Sequence, residues 1–266
     1  MDDRGERRTL SERVQNLLDE YKQGRVDAAE AQAGLMRLVY EEGPGLLLDV
    51  HRRRRTAFPE VVYAPGKTTR QVIDAAAGLL GENPFVFVWG ADGSQEAELR
   101  KRFAGMEVRR ENRLLLVGRN EAGTGTGCAG IITAGTSDIP YAKECSLMLE
   151  TLGYGVITAL DMGAAGMHRP LIGLEKARDA DVLVVFAGMD GVLPTLVASL
   201  TDRPVVAVPT PVGYGYGGAG HAALGTMLQC CVPGVVVVNI GNSVGAAAAA
   251  VRILNAVRRA AGGMGG

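Results

Sequence analysis

Val182-Leu183-Val184-Val185-Phe186-Ala187-Gly188-Met189-Asp190-Gly191 decides the fold. An unbroken apolar run has no polar face, as expected of a parallel strand covered by helices on both sides. The run stops at glycine, and Leu193-Pro194 then opens a helical pattern. Strand, glycine-rich turn and helix form the repeating unit of an open α/β sheet. Val235 to Ile240 is a second run of the same kind. Working outward, strands are predicted at 128–133, 155–160, 181–187, 204–208 and 234–240. Helices are predicted at 139–152, 171–179, 191–200, 218–230 and 244–260. The second half is therefore expected to be α/β, a doubly wound parallel sheet in three α/β/α layers.

The turns of this pattern fall at the carboxyl ends of the strands, where such sheets bind ligands. Four are rich in glycine and small residues: Gly135-Thr136-Ser137-Asp138, Asp161 to Arg169, Ala187 to Pro194 and Pro209 to Gly220. Free amides at a helix N-terminus, together with the helix dipole, favour an anion, most often a phosphate. Gly135 permits close backbone approach, and Ser137 and Asp138 are suited to capping the helix. Four such turns on one edge point to a phosphate-bearing ligand.

The first half reads as smaller pieces. Val14, Leu17, Leu18 and Tyr21 have helical spacing, and Asp27 with Glu30 makes a capping box for a second helix through Leu38. Val61 to Tyr63 and Pro84 to Trp89 read as strands, Thr68 or Thr69 to Leu80 and Ser94 to Phe103 as helices, and Arg113 to Val117 as a strand. Residues 1–10 and the terminal Gly-Gly-Met-Gly-Gly are expected to be frayed. Glu121 to Gly127 reads as a linker. It divides 1–120, a helical and small α+β region, from 121–266, the domain expected to carry the chemistry.

Composition excludes several classes. A net charge of −1 lacks the basic excess of a nucleic-acid binder, and 5% aromatics leave few stacking platforms. Met1 to Arg8 is charged and has no apolar core of a secretory signal. Val244 to Val251 is too short to span a bilayer. The four cysteines, Cys128, Cys145, Cys230 and Cys231, form no C-x-x-C pair, so no zinc site is indicated. Few thiols in a long chain fit a reducing cytosol, and a cytoplasmic protein without membrane or nucleic-acid partners is expected.

Among candidate residues, Arg169 suits bidentate phosphate or carboxylate binding, and His168 suits proton transfer or phosphate binding. A solvated His-Arg pair at a helix start is the plain alternative. Gly213-Tyr214-Gly215-Tyr216-Gly217-Gly218 reads as a lid, a phosphate cradle or a surface loop. Cys230 and Cys231, at a helix C-terminus that raises a thiol's pKa, read locally as small buried hydrophobes. Arg52 to Arg55 reads as a solvated face or, with His51 and Lys67 nearby, as a surface meeting an acidic ligand or a neighbouring subunit.

Taken in order, the motifs resemble a known family. They are Phe58-Pro59-Glu60-Val61-Val62-Tyr63 with Gly66-Lys67-Thr68, Thr133 to Asp138, Ala165-Gly166-Met167-His168-Arg169, Ala187 to Gly191, Val212-Gly213-Tyr214-Gly215 and Met227 to Val235 with Val238-Asn239-Ile240. Over about residues 12–255 the chain resembles the LarB family of nickel-pincer-cofactor biosynthesis. Its second half also resembles the aminoimidazole ribonucleotide carboxylase (PurE) family, whose Gly-Ser-x-Ser-Asp and Ala-His-Arg turns come in the same order. The resemblance implies a PurE-like sheet preceded by a smaller α+β region. It also implies a homo-oligomer, an octamer as in PurE, with sites shared between subunits.

It further implies a reaction: carboxylation of the pyridinium ring of nicotinic acid adenine dinucleotide, with hydrolysis of its phosphoanhydride. The products are AMP and pyridinium-3,5-biscarboxylate mononucleotide. Carbon dioxide or bicarbonate is the co-substrate and Mg²⁺ the implied cofactor, with Asp190 or Asp161 as candidate ligands. An electron-poor pyridinium does not attack carbon dioxide. Adding a soft nucleophile to the ring creates an enamine that does, and a thiolate both adds and leaves readily. The family pattern assigns that thiol to Cys231, overriding the local reading, with Asp190 and His168 as further catalytic candidates. Gly135, Thr136, Ser137, Asp138, Arg169, Gly188, Met189, Gly213, Tyr214, Gly215 and Lys67 are the implied substrate-binding set. Two positions depart from the family: Asp190 stands where Glu is usual, and Gly241 where Asp is usual. The alternatives are a purine-pathway carboxylase or mutase and a dinucleotide-binding protein with impaired catalysis.

Overall fold

The computed structural model describes residues 10–37, 41–43, 46–119 and 125–262. The expectations for residues 1–9, for 121–124 of the linker and for the last four residues lie outside the described residues. The chain divides into two compact units, Met1–Ala104 and Gly105–Gly266.

In the first unit, α1 (Leu10–Lys22) and α2 (Ala28–Arg37) form the expected helical pair. The capping box is present: Glu30 N donates to Asp27 Oδ1 at 2.8 Å and Asp27 N to Glu30 Oε2 at 2.9 Å. Then follow the antiparallel pair β1 (Glu41–Gly43) and β2 (Leu46–Leu48), and α3 (Arg52–Thr56). Next come β3 (Val61–Tyr63), α4 (Thr69–Glu82), β4 (Phe85–Trp89) and α5 (Gly93–Arg102). Strands β3 and β4 are parallel, with Val61 opposite Phe87. Thr68 and Asp92 open α4 and α5 through capping boxes with Gln71 and Gln95.

The second unit begins with an antiparallel hairpin, β5 (Val108–Glu111) and β6 (Leu114–Gly118). Strand β5 was not expected, because Val108-Arg109-Arg110-Glu111 carries no apolar alternation. The hairpin turns at Asn112, in the left-handed region at φ 51°.

The main sheet is built from β7 (Cys128–Thr133), β8 (Gly155–Ala159), β9 (Val182–Ala187), β10 (Val205–Pro209) and β11 (Val235–Val237). The intervening helices are α6 (Ile139–Thr151), α7 (His168–Lys176), α8 (Leu193–Ala198) and α9 (His221–Leu228), and α10 (Ser243–Gly262) closes the unit. The strands run in the order β11-β10-β9-β7-β8, all parallel. Right-handed crossovers in this order send α6 and α10 to one face and α7, α8 and α9 to the other. Consistently, α6 packs on α10, and α7 on α8. Every residue of β9 is buried, as its unbroken apolar run requires. Strand β11 is shorter than predicted. Residues 239–242 leave the ladder as a turn, Asn242 N donating to Asn239 O, to open α10.

Candidate active site

Four loops leave the carboxyl ends of β7, β8, β9 and β10. Strand β7 lies between β8 and β9, so the connections diverge there. A sheet opens a ligand crevice at such a switch point.

The loop after β7 is tied down from beneath. Asp138 is only 3% exposed. Its Oδ2 accepts from Gly135 N at 2.8 Å and its Oδ1 from Thr210 Oγ1 at 2.5 Å. The Gly188 amide donates to it as well, so one carboxylate joins the loops after β7, β9 and β10. Burial pushes its pKa up, against three hydrogen bonds that favour the charged form. Asp138 caps the 3-10 turn, Thr136–Asp138, that leads into α6, its Oδ2 accepting from Gly135 N, and makes no cap bond to α6 itself. Thr136 and Ser137 are exposed. Their amides meet no protein acceptor among the described residues, at the start of a 13-residue helix. That arrangement suits an anion.

The loop after β8 hangs on Thr133, whose Oγ1 accepts from Asp161 N at 3.0 Å while its carbonyl accepts from Met162 N at 2.8 Å. Asp161 sits in the left-handed region at φ 60° and pairs with Arg169 at 3.4 Å. His168 and Arg169 are exposed at the start of α7. In the loop after β9, a Cβ on Gly188 would lie 2.5 Å from the Val212 carbonyl oxygen and 2.7 Å from Thr210 Oγ1, so only glycine fits. Met189 donates to Val212 O at 2.7 Å with φ at 53°. Asp190 is exposed, its Oδ1 accepting from Val192 N at 3.3 Å. In the loop after β10, Gly213, Tyr214 and Gly215 lead into a 3-10 turn, with Tyr214 and Tyr216 fully exposed. Sequence reasoning missed Thr133 and Thr210. Thr133 ends β7 and Thr210 directly follows β10, but the partner of each is far along the chain.

The structure thus brings Gly135 to Asp138, Asp161, His168, Arg169, Gly188 to Asp190 and Gly213 to Gly215 to one sheet edge. Lys67 belongs to the first unit, with its ammonium 6.0 Å from the Tyr63 ring centroid. Cys231 follows α9, and its neighbour Cys230 meets Thr195 near the start of α8. Helix α9 starts beside the β9 loop, where Gly191 packs on the Ala223 backbone, and is about 12 Å long. The chain then enters β11 from its amino end, with Val235 opposite Val205.

The local reading of two buried cysteines is corrected. Cys231 is exposed because α9 ends at Leu228 and the chain leaves the packed layer. Cys230 is half-buried and accepts a bond from Thr195 Oγ1 at 3.2 Å. Burial raises the thiol pKa of Cys145 and of Cys128, and the Asp181 charge adds to the latter. Cys231 is the exposed thiol of the four.

Gly241, at the position where an acid is usual, adopts φ 62°, and a Cβ there would lie 3.3 Å from the Arg113 guanidinium. Arg113 instead donates to Gly241 O at 2.7 Å and to the fully buried Glu144, and stacks over Tyr141. Its charge is balanced without an acid at 241.

For a divalent cation, the described residues hold no cluster of three or more His, Cys, Asp or Glu. Asp161 is paired with Arg169 and Asp190 accepts an amide. These residues build no metal cage, and no step below is routed through a metal.

Two family models cover most of the chain. Residues 41–119 match the model of the LarB/PurE-like N-terminal domain, and residues 129–261 that of AIR carboxylase. The chain belongs to the LarB family, with an AIR carboxylase-like domain. An uncharacterised protein of Methanocaldococcus jannaschii is 36% identical over 246 residues, covering 89% of this chain and 95% of its own. An N5-carboxyaminoimidazole ribonucleotide mutase of Aquifex aeolicus is 31% identical over 132 residues, 47% of this chain and 75% of its own. A mutase of the same name from Pyrococcus horikoshii is 34% identical over 82 residues, 30% of this chain and 46% of its own. Like other LarB-family chains it is a carboxylase-type enzyme. Among the described residues no helix is long and apolar enough to cross a membrane.

Proposed function

We propose that the protein carboxylates the pyridinium ring of nicotinic acid adenine dinucleotide and hydrolyses its phosphoanhydride, releasing AMP and pyridinium-3,5-biscarboxylate mononucleotide. The observation that carries this reading is Cys231, an exposed thiol within a domain whose other three cysteines are wholly or partly buried. A covalent route needs such a group.

The Cys231 thiolate adds to a ring carbon, forming a C–S bond, and the displaced electron pair moves to the ring nitrogen. The resulting enamine carbon forms a C–C bond to carbon dioxide. A base removes the proton from that carbon, the C–S bond breaks, and the aromatic ring and free thiolate return. Exposed His168 or Asp190 is the base in this reading. Water adds to phosphorus to split the anhydride. Amides of Thr136 and Ser137, with Arg169, hold the phosphates, and Asp138 positions their loop without touching substrate. The reading takes the site to be shared in a homo-oligomer, a second copy supplying the thiol to the loops.

The test incubates the protein with the dinucleotide and bicarbonate, with and without Mg²⁺, and follows AMP and a product heavier by one carboxylate. Cys231→Ala is expected to form neither carboxylated product nor a covalent protein adduct by mass spectrometry. Wild-type rates from that variant would sink the covalent route. Turnover of aminoimidazole ribonucleotide in place of the dinucleotide would transfer the assignment to the purine reaction.

A further inference from the structure

The Arg52–Arg55 run has no part in the reaction above, and its surroundings form a second built site. Two adjoining cavities of about 310 and 390 Å³ in the first unit share Val50, His51 and Glu82 in their walls. Arg13, Ala77, Gly78 and Gly81 complete one, and Arg53, Arg54, Asn83 and Pro84 the other. Volumes of this order are those of small-ligand sites. The space exists because α4 presents small residues there: a Cβ on Gly81 would meet nothing within 4 Å.

The chemistry of the walls is specific. His51 is 7% exposed, yet its imidazole makes no hydrogen bond among the described residues, at the start of α3 or elsewhere. An imidazole in a cavity wall that makes no protein hydrogen bond, with its nitrogens open to the cavity, is available to a ligand. Three guanidinium groups, of Arg13, Arg53 and Arg54, share the walls with one carboxylate, that of Glu82. Arg13 reaches Glu82 at 3.3 Å, and Arg53 stacks 5.7 Å from the Phe85 ring centroid. Arg55 is drawn aside by Asp49 in a bidentate pair and lies outside both cavities. Among the described lining residues, the guanidinium groups around a donor-capable ring match an oxyanion. Guanidinium forks match the oxygens of a phosphate in particular.

We propose that these cavities bind a phosphate-bearing anion, with His51 and Arg54 as its main partners and Arg13 and Arg53 supplying charge. The electrostatics agree. Burial is the first cause holding the His51 pKa below its usual value, and Arg54 the second; Arg13 adds to them, while Glu82 and Asp49 oppose. An anion beside the ring reverses the balance, so binding is coupled to proton uptake at His51. The site is independent of the carboxylation chemistry.

The chain has three histidines, His51, His168 and His221, so histidine-selective NMR of the full-length protein gives one assignable signal for each. Titration with inorganic phosphate, and separately with AMP, is expected to shift the His51 signal and raise its titration midpoint. Arg54→Gln is expected to weaken this binding about tenfold, as the loss of one charge-assisted bond implies. Gly81→Leu narrows the cavity that Arg13 lines and leaves the one that Arg54 lines, and is expected to weaken the shift less than Arg54→Gln does, with unchanged circular dichroism. Tighter binding of AMP assigns the site to a nucleotide phosphate, and equal or tighter binding of inorganic phosphate to the free anion. A His51 signal that neither anion moves, or a shift that Arg54→Gln leaves unchanged, overturns the proposal.

Discussion

At the scale of single residues, Asp138 has the largest influence on the proposed site for a group that does not face it. Its carboxylate is buried between three donors, and its pKa is raised chiefly by burial. An acid with a raised folded pKa is protonated more in the folded than in the unfolded state just above its ordinary value of 3.8. Stability is therefore lost as pH climbs from there through the folded pKa. Asp138→Asn is expected to remove that part of the slope, seen as a difference between the two proteins' urea midpoints across the acid range. Asp138→Ala leaves Thr210 and the Gly135 amide unpartnered and is expected to cost about 1–3 kcal/mol. Asp138 also marks what sequence could not give. The small-residue turn was legible from Gly135 to Ser137, but a carboxylate beside Ser137 reads as another ligand contact. Its true partner, Thr210, is 72 residues away.

At the scale of elements, the strands that read most clearly were those buried on both faces. Val182 to Phe186 predicted β9 within one residue at each end, because an unbroken apolar run this short, closed by glycine, suits a covered strand better than a helix. The charged and short elements did not read. Arg52-Arg53-Arg54-Arg55-Thr56 has no apolar face to pattern a helix, and the β5 residues are mostly charged. Nor did the exposure of Cys231 read, since it depends on α9 stopping at Leu228 rather than on composition. The loops themselves interlock. Gly188 is wedged against Val212 and Thr210, so Gly188→Ala forces the loops after β9 and β10 apart. Overpacking of this kind costs about 1–3 kcal/mol. The expected result is a lower melting temperature together with a fall in kcat/KM, and retention of both would show that the loops move freely.

At the scale of the whole molecule, the fold class and the family were legible because repeated motifs constrain each other. Where catalytic parts meet was not, because in the proposed reading that depends on a second copy. Complementation examines it directly. Arg169→Ala alters the loops and Cys231→Ala removes the thiol, so each homo-oligomer is expected to be inactive. Mixed and reassembled, the two variants are expected to regain activity, since some sites then pair an intact loop edge with an intact thiol. Failure to regain any activity after verified subunit exchange would place both groups of one site in a single chain.

In the proposed reading helix α9 works as a spacer as well as a packing element. It begins at the ligand-facing edge and ends short of the thiol, so its length separates occupancy from reactivity. A dissociation constant measured on isolated chains reports on the loops alone, whereas turnover also reports on how many copies have met. Under the proposed shared site, affinity and rate are different observables with different dependences on protein concentration, and agreement between them is not the expected result.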